Sequence, residues 1–413
     1  MKRAAGGILA AGLAVALTAC GGGGAATPSP APIPYLGLAL EDTAYADAVL
    51  ATNTLGLDLL LGQEAGENAI VSPASLTIAL AMLAVGATAD GEAELDSLLG
   101  LAGTARTEAY SALTTALGGY QDGEFSLEEV PGNPYLRVAN NLVAQEGFEI
   151  SETFSTALFD AFGAPMGSAD FSAPSGKETL DEWVRENTAG LIEESAIVPT
   201  PDLRLVLQNA LLFAAKWATV FDPNTTGPWD FTRADGSTVS AEMMAQLMQV
   251  RYGESGGYQA IELPYSSDFT AFFVLPTEGE EPTPEGLRAA IDAIGAERLV
   301  DIVIPTFDLA AKTDVREYLE GAGISAIFDD AESLRGISDA DLVVDQIAQQ
   351  ARLIVDEDGT VGAAVTEIGA RETAAPMAEA EFHADRPFLM VVRHDTTGID
   401  VFTAYINDPT ADS

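Results

Sequence analysis

The stretch Leu205–Phe221, LVLQNALLFAAKWATVF, decides the architecture. It overlaps the apolar run Leu203–Phe213, which reads as a strand. Further strand-like runs follow it: Tyr258–Leu263, Thr270–Leu275, Leu299–Ile304, Arg352–Val355, Phe388–Arg393 and Ile399–Ile406. Upstream the pattern is helical. Ser75–Val85 comes just after Ser72-Pro73, a helix-start signal. Ser151–Phe162 and Lys177–Asn187 repeat apolar residues at helical spacing. Helices thus crowd the first half and strands the second, an α+β order and not the regular alternation of a doubly wound sheet. Gly118–Asn133 and Glu278–Glu285 read as turn-rich loops. No second linker and no repeat interrupts the chain from Tyr35 onward. Residues 35–413 therefore read as one domain, large enough to call for an extended sheet.

Further upstream the composition changes. Met1-Lys2-Arg3 is a short basic start, followed by an apolar run to Ala19 that is too Gly/Ala-rich for a membrane span. It fits a secretory signal over residues 1–19. The run closes in Leu17-Thr18-Ala19-Cys20, which resembles the lipobox of bacterial lipoproteins, and Cys20 is the only Cys of the chain. The resemblance implies lipidation of Cys20. Residues 20–34 (CGGGGAATPSPAPIP) then read as a flexible, Pro-extended tether. The expected location is the cell envelope, secreted and lipid-anchored. Gly21 is not the Asp that retains such proteins at an inner membrane, so the outer membrane or cell surface is preferred.

The formal net charge is −44, and loss of Lys2 and Arg3 with the leader would bring it to −46. Such a chain is not a nucleic-acid binder, because phosphate contacts need clustered Lys and Arg. The acidity reads first as a solvated, soluble surface and second as a field that steers a basic partner. One Cys excludes an internal disulfide and Cys-based zinc sites. No calcium-loop spacing is present, and no cofactor or metal is expected.

Several blocks together resemble the serpin family. They are Asn68–Ala87 with its Ser-Pro-x-Ser core, Leu205–Phe221 with Asn209 and Trp217 in register, Met243-Met244, and Glu262–Tyr265 (ELPY). Val300–Phe328, Val355–Thr366 (VDEDGTVGAAVT), Ala384–Phe388 (ADRPF) and Ile406–Pro409 (INDP) follow in order. The resemblance implies an α+β serpin fold: a large central mixed or antiparallel sheet, further sheets, helices in the N-terminal half and an exposed reactive loop. It also implies a monomer that is not an enzyme but an inhibitor of serine proteases. In such proteins a protease cuts the loop and is acylated, and the loop's N-terminal part inserts into the main sheet. The runner-up is a non-inhibitory serpin acting as a binding module.

The resemblance assigns the loop hinge to Glu357, Gly359, Thr360, Val361, Gly362, Ala363, Ala364, Val365 and Thr366. Ser72, Ser75, Asn209, Trp217 and Gln349 fall at the sheet's shutter and breach. In the family's register Thr360 faces inward, and the inward set continues as Gly362, Ala364, Thr366, Ile368 and Ala370. All are small or apolar. Glu367 and Arg371 fall on the outward face, and no Pro interrupts Gly359–Ala375. The alternation suits an inserted strand with one face in the core.

Four positions depart from the family pattern, among them Gly362, where Ala is usual. Val361 stands where Glu is usual. Gln349 replaces a common shutter His and is expected to bond to Asn209 or Ser75. Thr306 stands where a Lys often pairs with Glu357, which removes that latch. Fourteen residues past Gly359 lies Thr373, giving a reactive bond Thr373–Ala374 that suits an elastase- or subtilisin-like protease. Arg371–Glu372 is the alternative and suits a trypsin-like one. Met377 is exposed in the same reading.

Gly253-Glu254-Ser255-Gly256-Gly257 matches G-x-S-x-G, the nucleophile-elbow motif of a hydrolase. The strand-like YQAIELP that follows makes it a hairpin turn instead. His383 and His394, the only bases available, read as surface histidines.

Overall fold

Local signals set the helices. Ser72 caps helix Pro73–Ala84, its side chain accepting from the Ser75 amide, with Pro at the first helical position. Ser151 caps Glu152–Phe162, which ends in left-handed Gly163. The expected Lys177–Asn187 helix begins earlier, at Pro174. Four helices lie where none was expected: Thr43–Leu61, Ala89–Leu99, Gly103–Leu117 and Pro284–Asp292. The computed structural model describes residues 43–63, 66–120, 125, 130–279, 282–360 and 377–411. The expected loops at 118–133 and 278–285 are only partly so. A 3-10 turn covers Gly118–Tyr120, and Pro284 and Glu285 open helix Pro284–Asp292, capped by Thr283.

The strands, numbered along the chain, are β1 (Ala69–Val71), β2 (Tyr135–Gln145), β3 (Met166–Ala169), β4 (Leu205–Lys216) and β5 (Gly227–Thr232). They continue as β6 (Thr238–Ser255), β7 (Tyr258–Pro264), β8 (Phe269–Pro276), β9 (Glu297–Pro305) and β10 (Phe307–Asp314). The last are β11 (Ala348–Val355), β12 (Gly359–Thr360), β13 (Ala380–His383), β14 (Phe388–His394) and β15 (Asp400–Ile406). A nine-stranded sheet runs β1-β15-β14-β8-β7-β6-β9-β13, with β5 paired to β6. A six-stranded sheet runs β10-β11-β12-β4-β2-β3. The α+β expectation therefore holds.

The faces of β4 show where the core lies. Leu205, Leu207, Leu211, Phe213 and Ala215 pack on the main core, which also takes in helix Pro73–Ala84 and the nine-stranded sheet. Val206 packs on the opposite side with Val143, Phe171 and Leu180, under helix Pro174–Asn187. Both faces of β4 are thus covered, and an additional strand beside it must match the core face residue by residue.

Candidate functional site

The centre of the six-stranded sheet is unusual. β4 and β11 run parallel, yet among the described residues only the two residues of β12 join them. Thr360 lies opposite both Val355 and Ala215, and Gly359 opposite Lys216. Below this point a cavity of about 540 Å³ separates the strands. Its walls include Leu207 and Asn209 of β4, Gln349 of β11, and Leu76 and Leu80 of the helix beneath.

A tight turn, Asp356–Gly359, holds β12 in place. The Asp356 amide donates to the Gly359 carbonyl at 3.1 Å. Asp356 Oδ1 accepts from the amides of Asp358 and Gly359, each at 3.0 Å. Trp217 donates twice, through its amide to Asp358 O at 2.8 Å and through Nε1 to Asp356 O at 3.0 Å. The Phe221 amide donates to Glu357 O at 2.9 Å. Gly359 is required here by close approach: a Cβ would lie 2.1 Å from Ala215 O. Burial raises the Asp356 carboxyl to about 6, the two amides oppose this, and Asp358 and Glu357 add to it.

Thr360 is fully buried, and its hydroxyl shares a 2.6 Å hydrogen bond with Tyr265 Oη. Tyr265 in turn stacks on Trp217, with ring centroids 4.4 Å apart at 12°. Thr360 therefore faces the core. Burial also pushes the Tyr265 phenol well above its ordinary range, so it stays a neutral donor and acceptor.

A second polar cluster lies lower in the slot. Ser75 Oγ donates to Asn209 Oδ1. Asn209 Nδ2 donates to Asn140 Oδ1 at 2.7 Å, and Asn140 Nδ2 to Phe162 O at 3.0 Å. Ser72 Oγ donates to Val401 O at 2.8 Å. Gln349 does not bond to Asn209 or Ser75 as expected. Its side chain instead clasps the Ser72 backbone, accepting from the amide at 3.0 Å and donating to the carbonyl at 2.8 Å.

Ser72, Ser75, Asn209 and Gln349 thus converge mid-slot, while Trp217, Glu357, Gly359 and Thr360 gather at its top. Asn140, Asp356 and Tyr265 were not singled out from sequence. The signal for Asn140 was an Asn pair inside an otherwise apolar strand, VANNLVA. Thr306 bonds to Glu242 O through its amide at 2.9 Å and its hydroxyl at 3.4 Å. Val361, Gly362, Ala363, Ala364, Val365, Thr366, Arg371, Glu372, Thr373 and Ala374 lie outside the described residues, as does Cys20.

The hydrolase alternative finds no support in this geometry. Ser255 lies opposite Tyr258 across a two-residue turn, where Gly256 and Gly257 take φ of 56° and 89°. This is a hairpin and not a strand-to-helix elbow. His394 corrects the surface expectation. It is 2% exposed, with Nδ1 2.8 Å from Thr397 Oγ1 and Nε2 2.8 Å from Tyr120 Oη. Loss of hydration lowers its pKa to about 4, with Asp268 opposing. His383 lies on β13, half-buried, with Nε2 3.3 Å from Asp301 Oδ2.

The sequence matches the family model described as Serpin (serine protease inhibitor) over residues 51–409. It is 32% identical to Serpin A3-6 of Bos taurus over 362 residues, covering 84% of each chain. Among solved structures, human kallistatin superposes with a TM-score of 0.78 at 22% identity, covering 90% of this chain and all of its own. Human thyroxine-binding globulin superposes with a TM-score of 0.75 at 23% identity, again over 90% of this chain and the whole of its own.

Proposed function

The chain belongs to the serpin family, and from that premise we propose that it is a suicide-type inhibitor of serine proteases. Serpins are inhibitors or binding proteins and not enzymes. The inhibitory reading rests chiefly on one observation: Gly359 and Thr360 already sit between β4 and β11, above an open slot.

That pairing fixes a register. Each step beyond Thr360 moves one residue down both β4 and β11. Gly362 would face Phe213 and Leu353, and Ala364 would face Leu211 and Ala351. Thr366 would arrive between Asn209 and Gln349, beside Ser75, so a hydroxyl meets the polar part of the slot. Ile368 and Ala370 would follow opposite Leu207 and Leu205. Glu367 would fall opposite Gln208, whose side chain bonds toward helix Pro174–Asn187 and away from the core. A slip of one residue would bury that carboxylate, which without a partner would have to take up a proton to enter the core.

Insertion of roughly a dozen residues adds on the order of twenty backbone hydrogen bonds. At about 1 kcal/mol net each, the gain is on the order of 20 kcal/mol before apolar burial. That gain is the driving force for dragging and distorting an acylated protease. The reactive bond is Thr373–Ala374, with an elastase- or subtilisin-like target, and Arg371–Glu372 with a trypsin-like target is the alternative. Lipidation at Cys20 would hold the inhibitor at the cell envelope. Incubation with a protease panel tests the reading: a covalent complex that survives denaturant is expected. Cleavage without any such complex would instead favour a binding module, a role named for the structural neighbour thyroxine-binding globulin.

A further inference from the structure

A second feature lies between the two ends of the reactive segment. An open groove of about 530 Å³ runs between the 3-10 turn Pro223–Thr225 and the β6–β9 ladder. Val220, Ala245 and Leu247 give it an apolar surface, and Asp222 and Asp301 stand on its walls. None of its lining residues carries a positive charge. Asp301 lies opposite Leu247 on one side and Glu381 of β13 on the other, and Glu381 is exposed. The groove is next to the hinge, because Phe221 bonds to Glu357 O. It is next to the far end as well, because β13 begins three residues after the exposed Met377.

We infer that this groove is a secondary docking site for a cationic side chain on the surface of the target protease. The inference deepens the inhibitory reading and rests on it. Lys and Arg carry an apolar stem and a charged head. The stem would lie along Ala245 and Leu247, and the head would reach Asp222 and Asp301. Trp229, 44% exposed and edge-on to His383 at 6.2 Å, extends the surface with a face that also suits a cation. Such a contact raises the association rate more than it changes the chemistry that follows.

The test uses the full-length protein and a cationic serine protease whose nucleophilic Ser is replaced by Ala. Two variants are compared with wild type: Asp222→Asn combined with Asp301→Asn, and Leu247→Lys alone. The Asn pair keeps the acceptor that caps Asn224 and an amide beside His383, and unchanged melting confirms folding. Both variants are expected to dock about fivefold or more weakly at low salt. The difference should vanish near 0.5 M salt, where the Debye length is only about 4 Å. An anionic protease of the same cleavage preference should not be weakened by either variant. Equal docking of all three proteins to the cationic protease overturns the site, as does an absence of docking by wild type. The active protease reports separately on the parent reading, because failure to trap it covalently defeats inhibition whatever the docking result.

Discussion

In the nine-stranded sheet β6 pairs with β9 without interruption from Met243–Pro305 to Arg251–Glu297. In the six-stranded sheet β11 and β4 are joined through the two residues of β12. One sheet is complete. The other keeps its central position mostly unfilled among the described residues, and leucines such as Leu76, Leu80 and Leu207 line the gap together with the Ser75, Asn209 and Gln349 cluster. Closing that gap would release free energy, so the difference between the sheets is a difference in how much stability each has left to gain.

Cleavage in the reactive segment should change this comparison most. If residues after Thr360 enter the slot, the six-stranded sheet gains a full central strand. With a gain on the order of 20 kcal/mol, melting should rise on the order of 20 °C or more. Calorimetry before and after nicking reads the effect. Hydrogen exchange should slow along β4 and β11 while the β6–β9 ladder stays as it was. Unchanged melting would mean the slot is not filled.

Thr360→Arg should have the next largest effect. Thr360 has no solvent exposure and bonds to Tyr265. A guanidinium there must either be buried, at several kcal/mol, or keep the hinge out of the sheet. The variant should be cleaved as a substrate, with the fraction of protease trapped falling by about tenfold or more on denaturing gels. Asn209→Ala is smaller. It leaves Ser75 Oγ and Asn140 Oδ1 without their present partner, and should lower the unfolding free energy of the uncleaved protein by about 1–3 kcal/mol in denaturant titration.

How much of this was legible beforehand varied with the regularity of each element. β4, β7, β8, β14 and β15 were each placed within a few residues, because their apolar runs stay on one or two constant faces. β6 was not seen as a strand. It leaves β5 for β9 and then β7, and its exposure pattern loses the two-residue period where the partners change. Ala89–Leu99 was missed because it buries only Gly91, Leu95 and Leu99 beneath an acidic surface. The family resemblance led to Ser72, Ser75, Asn209, Trp217, Gln349, Glu357, Gly359 and Thr360, which gather at the slot, while hinge positions 361–366 lie outside the described residues. The partner of Gln349 was not legible, since its side chain bonds to backbone groups of Ser72, which a sequence pattern does not mark. His394 misled because a lone His before a turn carries no signal of burial.

The effect smallest in net terms, because two groups oppose each other, separates the two sheets by the sign of their response to acid. His394, at the end of β14, is held neutral with a pKa near 4, against an ordinary value of 6.5. The unfolded chain binds this proton more readily. The stabilisation is therefore complete above pH 6.5 and is lost as pH falls toward 4, amounting to about 2–3 kcal/mol. Asp356, at the hinge turn, behaves oppositely. Its carboxyl is raised to about 6 from 3.8, so the folded state takes up the proton first. Its contribution is complete below pH 3.8 and is lost as pH rises through 6, about 1–2 kcal/mol once partial exposure is discounted. Between pH 4 and 6.5 the two groups partly cancel in wild type. His394→Gln should flatten the loss of stability in acid, and Asp356→Asn should steepen it. Chemical denaturation of the three proteins at half-unit pH steps measures both slopes. Parallel profiles for all three would show that neither group differs between folded and unfolded chains.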